Sequence, residues 1–292
     1  MRVRVRRRTR MGLLGRLEVA ETDSSGHLIL NPKCSEVYID VGASNYGGFV
    51  DELLGASNYG GFLRVPPHVC VVAFEPRIDA WASLIARSMR GKHTHKSSLP
   101  LGQFHPRGLV LPYAVSDVDG EGTLNVAVAD GCSSLLSPRT RAADLGEYAA
   151  TNPKQSHVNG TCTDVDAVRR VPTIRLDTVL ASWLPRHVRA SRLKVDAQGM
   201  DIAIVESGKG QLHTFDGITM ETYPTDCPPF YKGQPMCSEV LQRMGALGFK
   251  PSSGRFAAVG AAACFKRENI NRVTRQPSCQ TLDIIFVRSH RL

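Results

Sequence analysis

The chain has 292 residues, of which 42% are hydrophobic, 22% charged and 7% aromatic. That composition excludes a disordered chain and is enough for the core of one α/β domain. The formal charge is +9, but seven arginines fall within the first 16 residues, and the remaining 29 basic residues face 27 acidic ones, so no nucleic-acid partner is expected of the body. No run of 18 apolar residues is present, so no membrane span is expected. The Arg-rich start suits either a disordered arm or an organelle transit peptide, since its apolar stretch (Met11 to Leu14) is too short for a secretory signal. Eight cysteines are scattered without any Cys-x-x-Cys pair. They read as reduced thiols of an intracellular, cytoplasmic protein, with organellar import as the variant reading.

In chain order, residues 1–29 read as a basic, disordered tail and 30–292 as one domain. Val37 to Gly42 and Val69 to Phe74 are short apolar runs, each bounded by a turn signal, as expected of strands buried on both faces. Ile78, Trp81, Leu84, Ile85 and Met89 are spaced as the buried stripe of a helix. Leu109 to Val115 reads as a third strand, and Thr123 to Val128 as an exposed hairpin strand. From Ser137 to Arg170 the chain is polar and aperiodic, an excursion from the core. Ile174 to Leu176 reads as a short strand, followed by Asp177 as the cap of a helix over 178–184. Strands follow at Leu193 to Asp196, Ile218 to Tyr223 and Leu282 to Val287, with helices at Asp201 to Leu212 and Ser238 to Leu247, the last stopped by Gly248. Strands alternating with helices imply an α/β fold with a mostly parallel sheet.

Gly42 to Phe49 recurs unchanged as Gly55 to Phe62, a period of 13. Only the first copy follows a strand ending in an acid, Asp40. A glycine turn after such a strand lets the backbone approach a nucleoside closely, although a plain strand-to-helix turn has the same pattern. Glu75 closes the next strand, where a carboxylate can accept both ribose hydroxyls. That acid is expected about 20 residues after the turn. Here the separation from Asp40 is 35, and removing one repeat leaves 22.

Farther on, Asp196 and Glu221 each close a strand, so they can converge as base and orienter or hold a divalent cation between them. His93, His95 and His105 lack a carboxylate or cysteine at ligand spacing, so no metal is assigned to them. Tyr223, Asp226, Tyr231 and Lys232 lie in a Pro-rich loop that either shapes an acceptor pocket or merely connects two elements.

Val37 to Ala43, Val72 to Pro76, Ala114 to Asp117 with Gly120, Cys132 to Leu135, and Leu176 to Leu180 form an ordered series. With Leu193-Lys194-Val195-Asp196-Ala197-Gln198-Gly199-Met200-Asp201 and Val205 to Gly208, it resembles the FkbM family of methyltransferases. The resemblance implies a Rossmann-like class I fold with helices on both sheet faces and an inserted hairpin region. It also implies S-adenosylmethionine as cofactor and O-methyl transfer to a hydroxyl of a sugar or small metabolite.

Carried over, Asp40, Gly42, Ala43, Ser44 and Asn45 would form the turn under the methionine part, and Glu75 would hold the ribose. Ser116 and Asp117 would lie near the adenine, and Asp196, with Glu221, would face the reacting atoms. The family usually shows Asn and Gly where Ser44 and Tyr46 stand, and Glu where Gln198 stands. A nicotinamide oxidoreductase shares the turn-and-acid pattern but would be expected to carry Gly-x-Gly-x-x-Gly. A nucleoside-binding scaffold is the non-enzymatic alternative. Acceptor and oligomeric state are not legible.

Overall fold

The structure, a computed structural model, describes residues 19–44, 48–54, 65–90, 100–129, 131–139, 162, 164–252, 264–265 and 281–289. The expected α/β fold is formed, with a largely parallel, mixed sheet. The chain divides into two units. The first comprises Met1–Asp119, Pro172–Lys194 and Ser207–Phe215, and the second Gly120–Val171, Val195–Glu206 and Asp216–Leu292.

In the first unit, β1 (Glu36–Val41) and β2 (Val69–Phe74) pair in parallel, with Val41 opposite Phe74. Every residue of β2 and all but the first of β1 are buried, which explains their unbroken apolar runs. The strand order is β8 (Arg189–Val195), β1, β2, β4 (Gly108–Leu111), β3 (Gln103–His105). α1 (Gly48–Leu53) follows the turn after β1, and its Phe49 ring packs 4.8 Å from Tyr38. α2 (Ile78–Arg90) buries Trp81 and Leu84, and the Trp81 indole N–H donates to the Val110 carbonyl at 3.0 Å. Ile78, expected in the buried stripe, is exposed.

Several boundaries differ from those expected. The run Leu109 to Val115 is two strands, β4 and β5 (Ala114–Ser116), because Pro112 has no N–H to give to a ladder. β5 leaves the main sheet and pairs with the end of β7 (Val165–Arg175), whose other neighbour is β6 (Gly120–Ala127). β7 is longer than predicted, since its first six residues are mostly exposed and carry no apolar alternation. The helix after it starts at Leu176, not Thr178. α3 (Leu176–Thr178) runs into a π-helical turn (Val179–Trp183). Asp177 lies inside its first turn and makes no cap; the Leu176 N–H is taken instead by Ser207 Oγ at 3.0 Å. Residues 19–29, expected as part of the tail, are packed: Val19 and Leu28 are buried, and the Leu28 N–H donates to the Trp183 carbonyl at 2.7 Å. The arginine-rich start and the second repeat copy lie outside the described residues.

The second unit carries the strand order β10 (Phe249–Pro251), β11 (Leu282–Arg288), β9 (Gly217–Thr222), antiparallel throughout. α4 (Asp201–Ser207) and α5 (Cys237–Ala246) are joined by Arg243, whose guanidinium bonds both oxygens of Glu206 at 2.8 and 2.5 Å. Gly248, at φ +83°, ends α5 as expected. Among the described residues no helix is long and apolar enough to cross a membrane.

The cysteine reading is corrected. Cys34–Cys70, Cys132–Cys162 and Cys237–Cys264 are disulfides, and Cys227 is also disulfide-bonded. Separations of 36, 30 and 27 residues leave no local spacing signal, and pairing is set by which strands and loops the fold brings together. Such bonds persist in oxidising surroundings. Replacing both Cys34 and Cys70 by alanine is expected to cost about 2–4 kcal/mol, because the bond closes a long loop in the unfolded chain. A thermal melt checks this; an unchanged melting temperature, or reactive thiols at Cys34 and Cys70 in the unreduced denatured protein, contradicts the pairing.

Candidate functional site

The turn after β1 is built around the Asp40 carboxylate. Asp40 is fully buried, and its Oδ2 accepts the N–H of Phe49 at 2.7 Å and of Val50 at 3.2 Å. These belong to the first turn of α1, whose N–H groups have no intrahelical acceptor. Lys194 Nζ on β8 stands 3.8 Å from Oδ1, giving the buried charge a counter-ion. Gly48, at φ +82°, lies so close that a Cβ would run into this carboxylate, so glycine is required. Asp40 is thus a residue that shapes the turn.

Gly42 (φ +75°) reverses the chain, and the N–H groups of Gly42 and Ala43 both donate to the Phe74 carbonyl at 3.0 Å. Ser44 follows with φ +44°, and its N–H donates to Glu75 Oε2 at 2.7 Å. The other Glu75 oxygen accepts the Arg77 N–H at 2.8 Å. The glycine turn and the strand-ending acid therefore meet at one end of the sheet. Each Glu75 oxygen uses one of its two acceptor positions on the backbone, which leaves acceptor capacity for a diol. Asn45 lies outside the described residues.

Burial raises Glu75 to about 7, against the two N–H donors and the Arg77 guanidinium, which pull it down. The folded value exceeds the ordinary 4.5, so the protonated carboxyl is favoured in the native state. This contribution to stability is complete below about pH 4.5 and is lost as pH rises through 7. Urea unfolding of the wild type should therefore weaken between pH 5 and 8 by on the order of 3 kcal/mol more than that of Glu75→Gln. Asp201, also raised to about 7 by burial and by Asp196, contributes the same trend to both proteins. Parallel pH dependences would contradict the assignment.

In the second unit, Asp196 follows β8 and Glu221 lies near the end of β9. The structure brings them to one side chain. Gln198 Nε2 donates to Asp196 Oδ1 at 3.0 Å and to Glu221 Oε2 at 2.9 Å. Its Oε1 lies 3.3 Å from the Tyr223 hydroxyl and 3.2 Å from that of Tyr231. Asp196, Gln198 and Glu221 keep partial exposure, whereas Tyr223, Phe230 and Tyr231 form a buried aromatic cluster behind them. Desolvation, reinforced by Asp196, Asp201 and Asp283, drives the Glu221 carboxyl well above its ordinary value. Asp201 holds the connecting turn, accepting the N–H of Ala197 at 3.1 Å and of Gly199 at 2.9 Å.

Gly42, Ala43, Ser44 and Glu75 are thus gathered at one edge, and Asp196 is gathered with Glu221. The strand before Ser116 and Asp117 is placed otherwise than expected: Ser116 ends β5 in the three-stranded sheet and Asp117 follows it, with Ser116 Oγ donating to Asp117 Oδ1 at 3.0 Å. The premise that they close the third core strand is corrected, and the cause is again Pro112. Sequence reading did not identify Lys194 as the partner of Asp40 or the tyrosines as partners of Gln198. A lysine inside a buried strand was the one available signal for the first; the second had none. Among the described residues no three His, Cys, Asp or Glu side chains are grouped to hold a metal ion.

A tight glycine turn joined to a carboxylate with remaining acceptor capacity suits the ribose of an adenosyl cofactor. In comparisons with known proteins, no curated protein matches the chain. The Methyltransferase FkbM domain matches residues 40–251, a span that runs from Asp40 in the glycine turn to the last residue of β10 and takes in Glu75, Asp196 and Glu221. The chain therefore belongs to the FkbM family of methyltransferases, which implies S-adenosylmethionine as its methyl donor.

Proposed function

We propose that this methyltransferase transfers the methyl group to a hydroxyl of a sugar or small metabolite. The observation that carries the reading is the convergence of Asp196 and Glu221 on one amide, both residues keeping some exposure. Bound S-adenosylmethionine supplies an already activated methyl, with the electron pair of the broken bond returning to sulfur. The protein's remaining tasks are alignment and proton removal.

On this reading the Gly42–Ser44 backbone lies under the cofactor, and Glu75 accepts its ribose hydroxyls. Asp40, through the N–H groups of Phe49 and Val50, keeps the turn in place. Ser116 and Asp117 keep the adenine-side role that the family resemblance implies. Asp196 takes the hydroxyl proton as the acceptor oxygen bonds to the methyl carbon. Glu221, drawn to the same amide, orients it.

Glu75→Ala should weaken S-adenosylhomocysteine binding by about 1–3 kcal/mol through loss of hydrogen bonds to the diol. Calorimetry measures it, and unchanged affinity in a folded variant removes Glu75 from the site. Asp196→Asn should lower turnover by about 10²–10⁴-fold while leaving S-adenosylhomocysteine affinity nearly unchanged. Labelled-methyl transfer to a panel of sugars and hydroxylated metabolites reads the first quantity. Loss of affinity with turnover preserved would reassign Asp196 to cofactor binding, and methyl transfer confined to nitrogen or carbon acceptors would overturn the O-methyl reading.

A further inference from the structure

We infer that Gln198 is the positioning residue that clamps Asp196 and Glu221 into a single coupled pair, its neutral amide hydrogen-bonded to both. The inference rests on the reading of that pair as acceptor of the hydroxyl proton. Three observations support it.

The first is the backbone. Gln198 has φ +52°, a left-handed conformation that residues with side chains seldom adopt. It is held there by Gly199 at φ +94°, by the Asp201 carboxylate on the flanking N–H groups, and by Ser134 Oγ, which donates to the Gln198 carbonyl at 2.7 Å. Strain maintained from several sides marks a side chain aimed at a purpose.

The second is the use of the amide. Its nitrogen has two N–H donors, and two carboxylate oxygens accept them at 3.0 and 2.9 Å. The orientation is set from the other side. Burial keeps the Tyr223 and Tyr231 phenols protonated. Tyr231 gives its one O–H to the Cys132 carbonyl at 2.6 Å, so the Tyr223 hydroxyl, 3.3 Å from the amide oxygen, is the donor that this oxygen faces. A flipped amide would set N–H groups against the Tyr223 donor and its oxygen against two carboxylates.

The third is the charge around the pair. Glu221 is faced by Asp196 and Asp201 from the turn after β8, by Asp283 from β11, and by the two phenols, with a hydrogen bond from the Thr281 side chain. A lysine, arginine or metal between the carboxylates would hold both ionised. A neutral amide supplies hydrogen bonds and leaves their mutual repulsion in place, which adds to the burial that drives the Glu221 carboxyl well above its ordinary value.

The test compares the full-length wild type with Gln198→Met, which keeps length without the amide, and Gln198→Glu, which adds charge. Carboxyl carbons are followed by ¹³C NMR across pH, and methyl transfer is followed over the same range. In Gln198→Met the pair should titrate about one pH unit higher, since donors to the ionised forms are gone, and Gln198→Glu should move it further the same way. S-adenosylhomocysteine affinity should stay within about twofold, because Gln198 lies outside the cofactor turn.

A carboxyl titration in Gln198→Met identical to that of the wild type overturns the clamp. If the carboxyl titration moves and the acidic limb of turnover does not, the clamp stands and the assignment of the base fails. Should neither variant fold, the wild type decides alone: coupled, two-step titration of Asp196 and Glu221 supports the pair, and independent single steps overturn it.

Discussion

Carboxylates taken out of water must be met by donors, and in the first unit the donors are the backbone N–H groups of one turn. Asp40 is met by the start of α1, and Glu75 by Ser44 and Arg77. The two acids therefore do more than sit at strand ends. They define where the chain goes after Gly42 and how closely it passes β2. Because an unpaired buried carboxylate is costly, the turn cannot relax without losing these bonds. The same arrangement leaves Glu75 poised between protonation states near neutrality.

The second unit handles its acids differently. Asp196, Asp201, Glu221 and Asp283 influence one another within one neighbourhood, and desolvation adds to their repulsion. Hydrogen bonds from an amide, two backbone N–H groups and a hydroxyl hold this arrangement, while the aromatic cluster of Tyr223, Phe230 and Tyr231 limits access of water behind it. Such a cluster raises the proton affinity of its members, at some expense in folding stability. The disulfides at Cys132–Cys162 and Cys237–Cys264 lie in this same unit and tie its loops covalently.

Much of the architecture was legible because buried parallel strands write themselves as apolar runs. Val37 to Val41 and Val69 to Phe74 lie where their apolar runs predict, whereas only the last three residues of β8 carry such a run, Leu193 to Val195. Elements with little burial were not. β7 carries mostly exposed residues over its first half, so its periodicity was absent, and the expected third strand broke at Pro112 because an imide nitrogen has no hydrogen to donate. The cysteines were misread for a related reason: pairing is a property of distances in space, and separations near thirty residues carry no sign of them.

Composition, apolar runs and ordered short motifs determined the fold class, the family and the identity of the acids at the strand ends, because local pattern and burial are written residue by residue. Tertiary structure alone decided what those acids do. It turned Asp40 inward onto a helix start, aimed both oxygens of Glu75 at backbone N–H groups, moved the strand that ends at Ser116 to another sheet, and set Gln198 between two carboxylates. The physical reason is that a carboxylate's role depends on its donors and its exposure to water, and those come from residues far away in the chain.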